Sequence, residues 1–164
     1  MIDNNVQNNS NFGKCIMQTP PVPVYPLTLY YDGSCRLCSA EIHNLQARDS
    51  ANRLRFIDCS PEGFNEGPAP RAALMNAIHA VDAAGQLYVC VPTFRAAYAA
   101  VGLDGLSALL GLPGVRQWAA HAYPVLVRNR HRLPGWLIEP MFERASRRAA
   151  ERAVQRSAAC HDGA

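Results

Sequence analysis

What this chain lacks narrows its chemistry before any motif is read. No apolar stretch approaches the roughly 20 residues that a membrane-spanning helix needs, so no transmembrane segment is expected. The asparagine-rich start has neither a basic opening nor an apolar centre, and does not read as a secretory signal. Aromatic residues are only 8% of the chain and form no RNA-binding pattern, and a formal charge of +3 is too small to imply a nucleic-acid partner. There is no glycine-rich phosphate loop, no flavin or nicotinamide signature, and no hydrolase serine motif. Six cysteines in 164 residues, unevenly placed, are too few for a disulfide-stapled secreted domain. The expectation is a soluble, cytoplasmic protein in a reducing compartment, where paired cysteines are catalytic or metal-binding more often than structural.

What is present suffices for one domain. Apolar residues make up 49% and charged residues 18% of the chain, enough for a packed core. Residues 1–26 read as a leader, because Asn and Gln give way to Pro20, Pro21, Pro23 and Pro26, a composition that favours extended, unpaired chain. The domain proper is expected over 27–133, followed by a helix and tail over 134–164. Leu27–Tyr31 and Leu54–Asp58 are short and apolar, as strands should be. Between them, Cys38, Ile42 and Leu45 recur at helical spacing over 35–49, with Glu41, Asn44 and Arg48 placed to face water. Ser60-Pro61-Glu62 has the form of a helix start. Residues 74–81 and 86–91 flank a Gly85-containing loop and predict a hairpin. Helices are expected from Pro92 to Ala100, over 105–110, from Pro113 with a bend near Pro124, and over 136–159. Strand, helix, strand, helix, hairpin, helix is the order of an α/β fold, a small mixed sheet flanked by helices, with additional C-terminal helices.

The most informative segment is Tyr31-Asp32-Gly33-Ser34-Cys35-Arg36-Leu37-Cys38. An Asp-Gly turn ends a strand, and two cysteines three positions apart open a helix. Residues at i and i+3 share a helix face, close enough for a disulfide. Unpaired N–H groups and the helix dipole favour a thiolate at the first turn. That suits thiol–disulfide exchange, with Cys35 as the attacking thiol at the exposed helix start and Cys38 resolving the mixed disulfide one turn in. Arg36 adds positive charge between them. Asp32 is either a proton relay or a turn residue.

At these residues the chain resembles the DCC family of thiol-disulfide oxidoreductases, a thioredoxin-like group named for its Asp-x-x-Cys-x-x-Cys signature, here Asp32, Cys35 and Cys38. Leu54-Arg55-Phe56-Ile57-Asp58 is similar to the family's second strand. Tyr123 followed by Arg128-Asn129-Arg130 is similar to its C-terminal element. The resemblance implies a thioredoxin-like fold and a disulfide reductase activity acting on a protein or small-molecule disulfide. The dithiol itself would be the redox group, with no other cofactor, and a separate thiol reductant would supply electrons. Where the family has a glycine-rich segment after the hairpin, this chain has Cys90-Val91-Pro92-Thr93. Val-Pro-Thr resembles the cis-proline motif that faces a thioredoxin dithiol, which makes Pro92 a candidate contact, although it falls after the hairpin; Pro70 lies nearer the usual place. Arg128 and Arg130 are candidates to tune the thiolate or to pair with Asp32, or else ordinary helix-end charges.

Two other readings stay open. Cys35 and Cys38 supply half of a structural zinc site, which Cys59, Cys90, His43 and His79 could complete only if the fold gathers them. Otherwise Cys59 and Cys90 are small buried hydrophobes. Arg144, Arg148, Arg152 and Arg156 recur every fourth residue, so the chain could be an interaction module in which the dithiol only senses redox state.

Overall fold

Leu27 and Leu29 are fully buried and alternate along one strand, which makes that strand the centre of the fold. The structure, a computed structural model, describes residues 22–133. Its elements are β1 (Leu27–Tyr31), α1 (Arg36–Arg48), β2 (Leu54–Asp58), α2 (Arg71–Asn76), β3 (His79–Val81), β4 (Leu87–Val89), α3 (Val91–Ala100), α4 (Asp104–Gly111), α5 (Pro113–Asn129) and a 3-10 turn, Arg130–Arg132. The sheet order is β2-β1-β3-β4. β2 runs parallel to β1, with Leu29 opposite Phe56. β3 is antiparallel to β1, with Leu29 opposite Ala80, and β4 is antiparallel to β3. A parallel βαβ unit joined to an antiparallel hairpin is the arrangement expected from the sequence, and it is thioredoxin-like.

Leu27, Leu29, Leu54, Ala80 and Tyr88 of the sheet pack in one cluster with Ile42 and Leu45 of α1 and Ala96, Ala97 and Ala100 of α3. The alanines let α3 lie close to the strands. A second cluster of Ala77, Cys90, Val91 and Ala119, with Tyr123 against it, ties α5 to the sheet and α3. α5 runs through Pro124 without ending there, and delivers the 3-10 turn to α1.

Three local expectations are corrected. Residues 74–76, expected to begin the hairpin arm over 74–81, instead end a helix, in which the Pro70 carbonyl accepts from the Ala73 and Leu74 amides and Leu74 is buried, and the arm is confined to β3. Ser60-Pro61-Glu62 opens no helix. The Arg71 guanidinium instead donates to the carbonyls of Cys59, Ser60 and Pro61. Glu41 and Asn44 are buried, not solvent-facing: Tyr98 of α3 hydrogen-bonds Glu41, and Arg48 Nε donates to Asn44 Oδ1 at 3.0 Å. The helix expected over 136–159, with its arginine stripe, lies outside the described residues.

Candidate active site

Two carboxylates fix the turn between β1 and α1. Asp32 Oδ1 accepts from the Ser34 amide at 3.0 Å and the Ser34 hydroxyl at 2.6 Å. Asp58, at the end of β2, accepts from the Gly33 amide at 2.8 Å and the Ser60 amide at 2.8 Å. Burial alone would raise the Asp58 carboxyl, but the bonds from Ser60 and Gly33 outweigh it and hold it below the usual range. A Cβ on Gly33 would lie 2.2 Å from Asp58 Oδ2, so the glycine is required by contact. Ser39 closes the turn from inside α1, its hydroxyl donating to the Gly33 carbonyl at 3.0 Å.

This turn sets Cys35 at the N-cap of α1, where its Sγ accepts from the Cys38 amide at 3.4 Å. Its thiol is lowered from an ordinary 9.0 to about 6. The hydrogen bond from the Cys38 thiol lowers it most, burial opposes, and the Cys38 amide, Arg130 and His131 add to the lowering. Cys38 is held above the usual thiol range by that same hydrogen bond, by burial and by the Cys35 charge. One proton therefore serves two sulfurs: the charge rests on Cys35 and the proton on Cys38. Both are free thiols here, adjacent but not bonded.

Accessibility runs opposite to charge. The sequence pointed to solvent at Cys35, yet Cys35 is fully buried, because its sulfur turns onto the first turn of its own helix. Cys38 is partly exposed and lines a cavity of about 230 Å³.

Arg130 comes to this site from 98 residues away. Its Nη2 donates to Asp32 Oδ2 at 2.9 Å and also to the Met75 carbonyl, and both Asp32 and Arg130 are buried. His131 sits beside them, its Nε2 3.4 Å from Asp32 Oδ2 and 3.3 Å from Arg130 Nε. One nitrogen thus faces an anion and a cation. Unprotonated, it accepts from Arg130; protonated, it donates to Asp32. Sequence reasoning missed His131, whose one available signal was its place next to Arg130.

Arg36 is exposed at the first residue of α1, and the positive charges acting on Cys35 are those of Arg130 and His131. Arg128 is exposed in the last turn of α5. Pro92 is buried in the first turn of α3 and is absent from the cavity wall. Its peptide bond is trans; the cis bond among the described residues is Tyr25–Pro26. Ala77 and Ile78, just before β3, stand in the cavity wall instead, with the Ile78 amide donating to Tyr123 Oη at 3.2 Å.

Cys59 is buried beyond β2, its thiol pushed up to about 11 by burial and by Asp58. His79 is buried on β3, with Nδ1 2.9 Å from the Ala77 carbonyl. Among the described residues, no three His, Cys, Asp or Glu side chains come together as a metal site would need. No helix among them is long and apolar enough to cross a membrane.

The sheet order, and a dithiol capping the helix after its central strand, define a thioredoxin-like α/β protein built around a Cys-x-x-Cys pair. Residues 29–136 match the DCC1-like thiol-disulfide oxidoreductase family, and the chain belongs to it. "Uncharacterized protein At5g50100, chloroplastic" of Arabidopsis thaliana is 26% identical over 123 residues, covering 72% of this chain and 57% of the relative. The chain thus spans little more than half the length of that relative. No solved structure matches it.

Proposed function

We propose that the protein is a thiol–disulfide oxidoreductase of the protein-disulfide reductase type, in which Cys35 attacks and Cys38 resolves. The observation that carries this reading is the split ionisation of the pair, with Cys35 lowered to about 6 and Cys38 still holding its proton. At neutral pH the Cys35 thiolate attacks one sulfur of a substrate disulfide, forming a mixed disulfide and expelling the other substrate sulfur as a thiolate that takes up a proton. Cys38 then gives up its proton and attacks Cys35 Sγ, and the second substrate sulfur leaves. The substrate gains two electrons as the pair closes to a disulfide, and an external thiol reductant reopens it. The dithiol is the whole redox apparatus in this scheme.

Cys35 has no exposed surface, so the substrate sulfur reaches it from the side that Cys38 opens, after the Cys38 thiol turns away. Asp32 and Arg130 hold the turn and supply field rather than bonds to substrate. The test is insulin disulfide reduction by wild type, Cys35→Ser and Cys38→Ser. The wild type is expected to reduce insulin and both variants to lose turnover. Cys38→Ser should accumulate a mixed disulfide through Cys35. Equal rates in all three would remove the assignment.

A further inference from the structure

Cys38 shares its cavity with apolar side chains that include Leu37 and Ile42 of α1, Ile78 just before β3, Phe94 and Tyr98 of α3, and Leu126 of α5. Its volume, about 230 Å³, is below the roughly 300–1,000 Å³ of sites that enclose a whole small-molecule ligand, and it suits a single large side chain. Phe94, Tyr98, Tyr123 and Leu126 also wall a wider apolar groove that leads away over α4 and α5. A molecule seated by the dithiol therefore has a path along which to continue, as a polypeptide would and a compact disulfide would not.

The polar groups in the cavity wall point the same way. Asp32 and Arg130 are paired with each other. Glu41, one turn beyond Cys38, is only 9% exposed, and burial pushes its carboxyl up despite bonds from Tyr98 and Asn44. Among the described residues, its Oε1 has no hydrogen-bond partner. A substrate carboxylate entering this wall would lose its water in apolar surroundings beside Glu41, while Arg130 is already engaged by Asp32, so its desolvation is not offset.

We propose that this cavity is the specificity pocket for a polypeptide disulfide, taking the large apolar side chain of a residue next to the substrate cysteine and rejecting an acidic one. The inference rests on the redox reading above. It adds that the substrate is read by its flanking residue as well as by its sulfur. Exchange brings the substrate sulfur to Cys35 past Cys38, so the neighbouring side chain arrives at the cavity with it.

The test uses the full chain and disulfide-linked dimers of a short peptide, Gly-X-Cys-Gly, with X as Phe, Leu, Ser or Asp, together with glutathione disulfide. Expected kcat/KM is higher for Phe and Leu than for Ser by about 10- to 100-fold, the range that filling a hydrophobic pocket gives, with Asp lowest. Narrowing the pocket with Ala77→Leu should shrink the Phe-to-Ser ratio. A second readout needs no turnover: peptides with Ser in place of Cys, at high concentration, should shift the methyl resonances of Ile78, Leu126 and Val127 only when X is apolar. Exchange at equal rates for all X, without methyl shifts, overturns the pocket and leaves the redox reading standing. Methyl shifts without exchange keep the pocket and overturn the redox reading. Neither exchange nor shifts overturns both.

Discussion

One hydrogen bond separates the two thiols. The Cys38 S–H points its proton at Cys35, and that donation does more to lower Cys35 than either nearby cation. The rate of Cys35 alkylation by iodoacetamide in wild type should rise with a midpoint near pH 6. In Cys38→Ala the midpoint should move up toward the ordinary 9.0, and in Arg130→Ala it should move the same way by less. A midpoint unchanged by Cys38→Ala would mean that the thiol is not the donor. The dithiol was legible in the sequence because three-residue spacing after a strand and turn is a local pattern. The Arg130–Asp32 pair was legible only as one option among several, because a pairing across 98 residues leaves no local trace. Glu41 was misjudged for a similar reason: its helix position faces water until α3 is docked, and nothing within α1 announces Tyr98.

Two places bordering the site each have a position where the backbone decides. At the turn into α1, Gly33→Ala would place its Cβ against Asp58, forcing that carboxylate off the Gly33 and Ser60 amides. Loss of these partly buried bonds is expected to cost about 1–2 kcal/mol, read as a lower denaturant midpoint. At the start of α3, Cys90 is fully buried with φ 63 and ψ −128, a conformation that favours glycine. Ordinarily, shrinking a buried side chain costs more the more is removed. Here Cys90→Gly should be more stable than Cys90→Ala, because only glycine relieves the strain, which is worth about 1–3 kcal/mol. Thermal melts of the two variants decide it; Ala melting above Gly would show that no strain is stored there. Apolar runs and Pro92 made β1, β2 and α3 readable from pattern. α2 was not, since its six residues run into the apolar segment that ends in β3 and read with it as one hairpin arm.

At the level of the whole molecule, the split ionisation links stability to pH. In the folded chain Cys35 is depressed, so its contribution is full above the unfolded thiol value of 9.0 and is lost as pH falls through about 6. Cys38 is raised, so its contribution is present below 9.0 and declines above it. The reduced protein, compared with a Cys35→Ala/Cys38→Ala variant, should gain stability at up to about 1.4 kcal/mol per pH unit between those two values, then lose it at higher pH. A flat difference across that window would show that folding does not perturb the pair. The fold class was legible as a whole because element order restricts the sheet to few arrangements. The docking of the C-terminal extension onto the β1 turn was not, because it depends on the path of α5, and the Pro124 read as a bend leaves that helix continuous.

The central claim, that the sulfurs at 35 and 38 open and close as a redox pair, is tested most directly by mass spectrometry of the protein equilibrated in glutathione buffers of graded potential. The account predicts an intramolecular Cys35–Cys38 disulfide, seen as the loss of two hydrogens with the cross-link mapped to one peptide. It should form and reverse as a two-electron couple and be absent from both single serine variants. A pair that stays reduced at every potential, or that oxidises only by linking to other cysteines, would contradict it.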